Sequence, residues 1–157
     1  MFKELSYSQQ QLLPPPAHRL TAEEYKEEGN THYAAGRYAE AIANYQQAIH
    51  IDPKDAIAYN NLGNALDEIG KIEEAIDCYR KAIDIDPKFA YAYNGLGVAL
   101  QKSNKLDEAI DCLKKAIEMD PNFSPAYNNL AIALEKKGER REALKCYLRA
   151  IHCDHNN

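Results

Sequence analysis

Shifted by 34 residues, the sequence falls into register with itself from Tyr25 to the end. Tyr25, Tyr59, Tyr93 and Tyr127 form one column, and Gly29, Gly63, Gly97 and Ala131 a second. Glu40, Glu74, Glu108 and Glu142 stand beside Ala41, Ala75, Ala109 and Ala143. Tyr45, Tyr79, Leu113 and Tyr147 precede a further alanine column of Ala48, Ala82, Ala116 and Ala150. The units are 22–55, 56–89, 90–123 and 124–157, without insertion or deletion. A period of this length belongs to architectures in which each unit buries its apolar face only against its neighbours.

Within each unit the apolar residues of "AYNNLGNALDEIGK" and "KIEEAIDCYRKAIDID" recur at three and four, the helical period. Gly36, Gly70, Asn104 and Gly138 fall between the two helical patterns, where a turn calls for positive φ. "IDPK", "IDPK" and "MDPN" close the second helix, since proline cannot extend it and holds the preceding Asp extended. In "FSPAY" we expect Phe123 as a staple, Ser124 as N-cap and Pro125 in the first turn. The fold expected is all-α: a right-handed α-solenoid of four helix–turn–helix repeats, eight helices, over 22–157. Residues 1–21 should form an extended arm around Pro14–Pro16, with Thr21 and Glu24 as a capping box and Leu20 stapling onto Tyr25. Phe2, Leu5, Tyr7, Leu12 and Leu13 make that arm a candidate ligand for a groove.

These residues resemble the tetratricopeptide repeat family: an aromatic, Leu-Gly, Gly at the turn, then Ala, aromatic, Ala and Pro. The first unit departs from the pattern with Glu28 and His32 where the others have leucine, and the last has His155 in place of proline. Atypical residues are expected in terminal units.

Chemistry is hard to place on such a chain. It has no phosphate-cradling glycine loop and no nucleophile elbow, so no enzyme activity and no cofactor are expected. The net charge of −5, from 19 basic and 24 acidic residues, is the wrong sign for neutralising phosphates, and nucleic acid is not an expected partner. Cys78, Cys112 and Cys146 occupy equivalent places on successive second helices, roughly 10 Å or more apart. Disulfides need Cα atoms within ~7 Å, so these thiols should stay reduced. "HCDH" at 152–155 offers ligand-type side chains without a second cluster, and no metal site is expected. No apolar run suits a membrane and no secretory leader is evident, so the expected compartment is the cytoplasm.

The resemblance implies that the first helix of each unit lines a concave groove. The residues expected to bind a peptide there are Lys26, Asn30, Asn61, Asn64, Tyr91, Val98, Asn129 and Ile132. An amide both donates and accepts, so asparagines can hold a peptide by its backbone. This is similar to the asparagine ladder of O-linked N-acetylglucosamine transferase. Co-chaperones of the family grip a terminal carboxylate with five residues. Lys26, Asn30 and Asn61 match that clamp, but Tyr91 and Gly95 stand where it needs basic residues. Two lost charge-assisted contacts, each worth ~1.5–3 kcal/mol, argue for a general peptide groove instead. Glu23, Glu27, Asp67 and Glu68 make its first half acidic, while Tyr91, Val98 and Ile132 are apolar or aromatic. The expected partner is a protein or peptide with basic residues at one end and an apolar anchor at the other. The alternatives are a homo-oligomer assembled through Leu144, Leu148 and Ile151 or through the arm, and the targeting domain of a larger enzyme or co-chaperone.

Overall fold

A computed structural model describes residues 20–155. The arm residues 1–19, with the ligand role expected for Phe2, Leu5, Tyr7, Leu12 and Leu13, lie outside the described residues. The described residues form eight α-helices and no strand: α1 Ala22–Ala34, α2 Tyr38–Ile51, α3 Ala56–Glu68, α4 Ile72–Ile85, α5 Ala90–Lys102, α6 Leu106–Met119, α7 Ser124–Lys137 and α8 Arg140–His155. Odd and even helices pack in pairs, and each pair packs on the next. Odd helices also approach the next odd helix closely, whereas among the described residues successive even helices stay farther apart and are linked by side chains such as Arg80 with Glu108, at 4.0 Å. The array therefore curves with α1, α3, α5 and α7 on its inner side.

Local chemistry sets each boundary. Gly36, Gly70, Asn104 and Gly138 carry φ of 71°, 79°, 59° and 89°, the left-handed turn between paired helices. Asp52, Asp86 and Asp120 cap α2, α4 and α6 in extended backbone. Each carboxylate accepts the N–H two residues on, at 3.0 Å, and fixes the turn that the following proline begins. Thr21 and Glu24 close the expected capping box, at 3.2 and 2.7 Å. One cap differs from expectation. Ser124 is the first residue of α7, buried, and Phe123 holds the cap position without a side-chain hydrogen bond. The Phe123 ring belongs to a cluster with Ala90, Ala116 and Ala126, and this burial sets where the helix starts.

The alanine columns let the helices approach: Ala41, Ala75 and Ala109 are wholly buried, as are Ala48, Ala82 and Ala116. Tyr45, Tyr79 and Leu113 fill the space beside them. The Tyr79 ring lies against both Gly63 of its own repeat and Gly95 of the next. At the first end, α1 exposes Glu28, and His32 Nδ1 accepts from Arg37 Nε at 2.9 Å, so a polar surface replaces the leucine columns. All four thiols are free, and burial pushes the Cys78 thiol up to about 11.

A Cβ at position 95 would stand 2.5 Å from Tyr79 Cε1. Gly→Ala inside a helix ordinarily stabilises by about 1 kcal/mol. Here overpacking opposes that gain, and Gly95→Ala should lower the unfolding free energy by about 1–3 kcal/mol. Urea unfolding followed by far-UV circular dichroism measures it; a more stable variant would show that the ring is free to move.

Candidate functional site

The inner face carries a chain of amides supported from behind by tyrosines. Tyr45 donates its hydroxyl hydrogen to Asn30 Oδ1 at 2.8 Å, and Tyr79 does the same to Asn64 Oδ1 at 2.8 Å. Asn61 Nδ2 donates to Asn30 Oδ1 across the first repeat junction, at 3.0 Å. Across the last junction Asn129 Nδ2 donates to Asn94 Oδ1 at 2.9 Å, and Gln101 Nε2 donates to the Asn129 carbonyl at 3.0 Å. Between the first two repeats, Asn30, Asn61 and Asn64 line a cavity of about 260 Å³ together with Tyr33 and Tyr45. At its edge Tyr33 donates to Glu68 Oε1 at 3.3 Å.

The tyrosines keep their protons. Burial, with Tyr33 nearby, pushes Tyr45 up to about 12; burial and then Glu68 push Tyr33 up to about 12. Burial, with Asp67 close by, raises Tyr79 as well. Each hydroxyl is thus a donor at neutral pH, and the asparagine oxygens turn inward to meet them. The cavity receives what remains of each amide.

Electrostatics separate this face from a carboxylate grip. Lys26 Nζ lies 2.7 Å from Glu23 and 2.8 Å from Asp55, and its side chain is 12% exposed. Burial alone would lower its pKa, but the bonds to Asp55 and Glu23 outweigh it, and the net shift is upward. Burial would likewise raise Asp55, but Lys26 and the Ala58 N–H hold its carboxyl below its ordinary value. The lysine charge is therefore already met within the chain. Asp67 Oδ2 takes Lys102 at 2.6 Å, while its Oδ1 is buried without a hydrogen bond. Glu27 and Glu68 remain exposed, so the first half of the groove is acidic.

The structure brings together Asn30, Asn61 and Asn64 but spreads the other expected residues along the array. Tyr91 is 58% exposed and packs its ring against Phe89 and Phe123, with centroids 6.0 and 4.7 Å away. Val98 is half-buried, and Ile132 is exposed. Leu144, Leu148 and Ile151 are exposed on α8, whereas Ile110 and Ile76, which match Leu144 one and two repeats earlier, are buried. Sequence reasoning missed Tyr45 and Asp55, taking the first only as one member of a repeating column. The signal was there in pairs fifteen apart: Asn30 with Tyr45 and Asn64 with Tyr79, but Val98 with Leu113. A hydroxyl appears where an amide needs a partner and disappears where the partner is apolar. The fourth pair, Ile132 and Tyr147, breaks the rule, and Tyr147 donates instead to Glu135 Oε2 at 3.0 Å.

Between pH 10 and 12 the unfolded chain loses tyrosine protons that the folded chain keeps. Stability fully present below pH 10 should therefore decline as pH rises toward 12. Absorbance at a phenolate wavelength against pH, read beside helicity, should show Tyr33, Tyr45 and Tyr79 titrating only as the helices melt. Complete tyrosine ionisation near the ordinary value of 10.0 with helices intact would contradict their burial.

Comparison with known proteins adds family and neighbours. Family models described as TPR repeat match residues 29–70 and 64–104, and models described as tetratricopeptide repeat match 90–123 and 112–145. A crystal structure of MamA is 31% identical, with a TM-score of 0.77, over 86% of this chain and 79% of that one. The first TPR of Spaghetti (RPAP3), bound to the HSP90 peptide SRMEEVD, is 27% identical, with a TM-score of 0.73. That match covers 75% of this chain and 96% of the other. No curated protein matches in sequence. Among the described residues, no helix is long and apolar enough to cross a membrane.

Proposed function

The chain belongs to the tetratricopeptide repeat family, and from that premise we propose that it is a non-catalytic interaction scaffold holding an extended peptide in its concave groove. The observation that carries this reading is the cavity where Asn30, Asn61 and Asn64 meet, with tyrosine hydroxyls fixing two of the amides. Neutral amides hold backbone without demanding a particular side chain, whereas a clamp for a charged end needs cations. The Spaghetti (RPAP3) domain is bound to a peptide ending in acidic residues. The groove here differs: Lys26 is neutralised from within, and Tyr91 and Gly95 supply no charge. Glu23, Glu27 and Glu68 favour a ligand with Lys or Arg over the first two repeats. Exposed Tyr91 and Ile132, with Val98, offer an apolar seat over the last two, and Asn129 a further amide.

A displayed library of random seven-residue peptides tests this. The wild type should enrich sequences with basic residues toward one end, and their binding should weaken as salt screens the acidic half. A variant with Asn30, Asn61, Asn64 and Asn129 all changed to Ala, equally helical by circular dichroism, should enrich none of them. Selection of peptides with acidic C termini such as SRMEEVD, or binding indifferent to salt, would overturn the reading.

A second reading, self-association, is favoured by one observation: Leu144, Leu148 and Ile151 are each more than half exposed on one stripe of α8. Sedimentation at micromolar concentration should then show a dimer in the wild type and a monomer in Leu148→Lys. A wild type that stays monomeric at high concentration removes it.

A further inference from the structure

Both tyrosine hydroxyls at the cavity between the first two repeats have committed their single hydrogen. Tyr45 gives its own to Asn30 Oδ1 at 2.8 Å, and Tyr33 gives its own to Glu68 Oε1 at 3.3 Å. Neither acceptor has a hydrogen to return, so each hydroxyl offers the cavity only lone pairs. Asn61 Oδ1 accepts from Asn60 Nδ2 at 3.4 Å and Asn64 Oδ1 from Tyr79 at 2.8 Å, and each keeps a second lone pair. Against these acceptors stand the amide N–H groups of the same asparagines, which carry no net charge.

The charge at the edge of this cavity is negative. Glu68 is exposed there beside Tyr33. Asp67, its neighbour on α3, gives one oxygen to Lys102 at 2.6 Å and keeps the other buried without a hydrogen bond. Burial first, then Glu68 and more weakly Asp67, push Tyr33 up, which is the effect of a negative field at its hydroxyl. Nearby cations are held elsewhere: Lys26 by Glu23 and Asp55, Lys102 by Asp67, and Arg37 by His32. The volume of about 260 Å³, against ~30 Å³ for one water, takes a long side chain and not only a stretch of backbone. The Tyr33 ring, held edge-on by Tyr38 with centroids 5.4 Å apart, gives the stem of such a side chain an apolar wall.

We propose that this cavity is a pocket for one basic side chain of the bound peptide, with Glu68 facing its charge and the tyrosine and asparagine oxygens accepting its N–H groups. This rests on the groove reading above and deepens it, because the basic preference then belongs to one position of the ligand. Arginine suits the pocket better than lysine: its planar fork of five donors reaches acceptors on several sides, whereas an ammonium is a compact point charge. The pocket also sets a register. The places equivalent to Glu68 hold Lys102 in the third repeat and Lys136 in the fourth, so the charge reverses further along. Glu27 is exposed on α1 but does not line the cavity, and it acts only through the general field of the groove.

The probes are peptides selected from the random library on the wild-type chain, resynthesised with citrulline for arginine or norleucine for lysine, one position at a time. Neutralising one basic position should cost about tenfold in affinity, the scale of a charge-assisted contact, and neutralising the others far less. That cost should largely disappear on Glu68→Gln, whose amide oxygen still receives Tyr33, and persist in full on Glu27→Gln, a coupling read as a double-mutant cycle. Both positions are exposed, so both variants should match the wild type in helicity. A cost shared evenly among the basic positions, or reduced equally by the two variants, overturns the pocket and leaves the groove reading intact. A wild type that enriches no peptide overturns the groove reading and the pocket with it.

Discussion

The Tyr79 ring lies across two glycines from two different repeats, and the inner face is arranged around it. Its edge meets Gly63 in its own repeat and Gly95 in the next. A large side chain and two missing ones thus share one volume, which fixes how close the second and third repeats stand. The same ring carries its hydroxyl to Asn64, so packing and polar order arise from one side chain. Tyr45 repeats the arrangement against Gly29 and Asn30 one unit earlier. Leu113 fills the corresponding volume against Gly97 without a hydroxyl, and the facing residue there is Val98. The groove is therefore polar where the core tyrosine reaches through to it and apolar where the core residue is leucine.

This coupling matters because a buried hydroxyl needs a partner and leaving one unmade costs ~1–3 kcal/mol. Tyr45 and Tyr79 are buried, so Asn30 and Asn64 answer a need of the core before any ligand arrives. The ion pairs follow a similar logic. Lys26 reaches Asp55, which also caps α3 by accepting the Ala58 N–H at 3.0 Å, and one carboxylate thereby ties the first repeat to the start of the second. Lys102 reaches back to Asp67 across the next junction. Cations that would otherwise face the groove are drawn into the joints, leaving its first half with the acidic surplus of Glu27 and Glu68.

The repeat made the fold legible in the sequence. Alanine columns, positive-φ turn residues and Asp-Pro stops each recur at 34, and each has one physical meaning. What the columns hid were contacts between them. A lysine and an asparagine four apart look like a free ligand-binding pair until Asp55 and Tyr45 take them up, and neither partner lies nearby in sequence. Ser124 was misread because its cap chemistry is strong in isolation, whereas the burial of Phe123 decides where α7 begins. Local rules located the elements; side chains meeting across a junction determined which atoms stayed available.

In a periodic chain, specificity has to come from breaks in the period. Four identical units would present four identical amide pairs, each bonded to the next, with no preferred register for a bound peptide. Glu28 and His32 end the leucine columns and make α1 a polar end. Val98 and Leu113 exchange an amide and a hydroxyl for apolar contact, dividing the groove into two kinds of surface. Gly95 leaves Asn64 without the side-chain amide that Asn61 offers Asn30 one repeat earlier. The columns that repeat build the scaffold, and the residues that depart from them make one stretch of its inner face differ from the next.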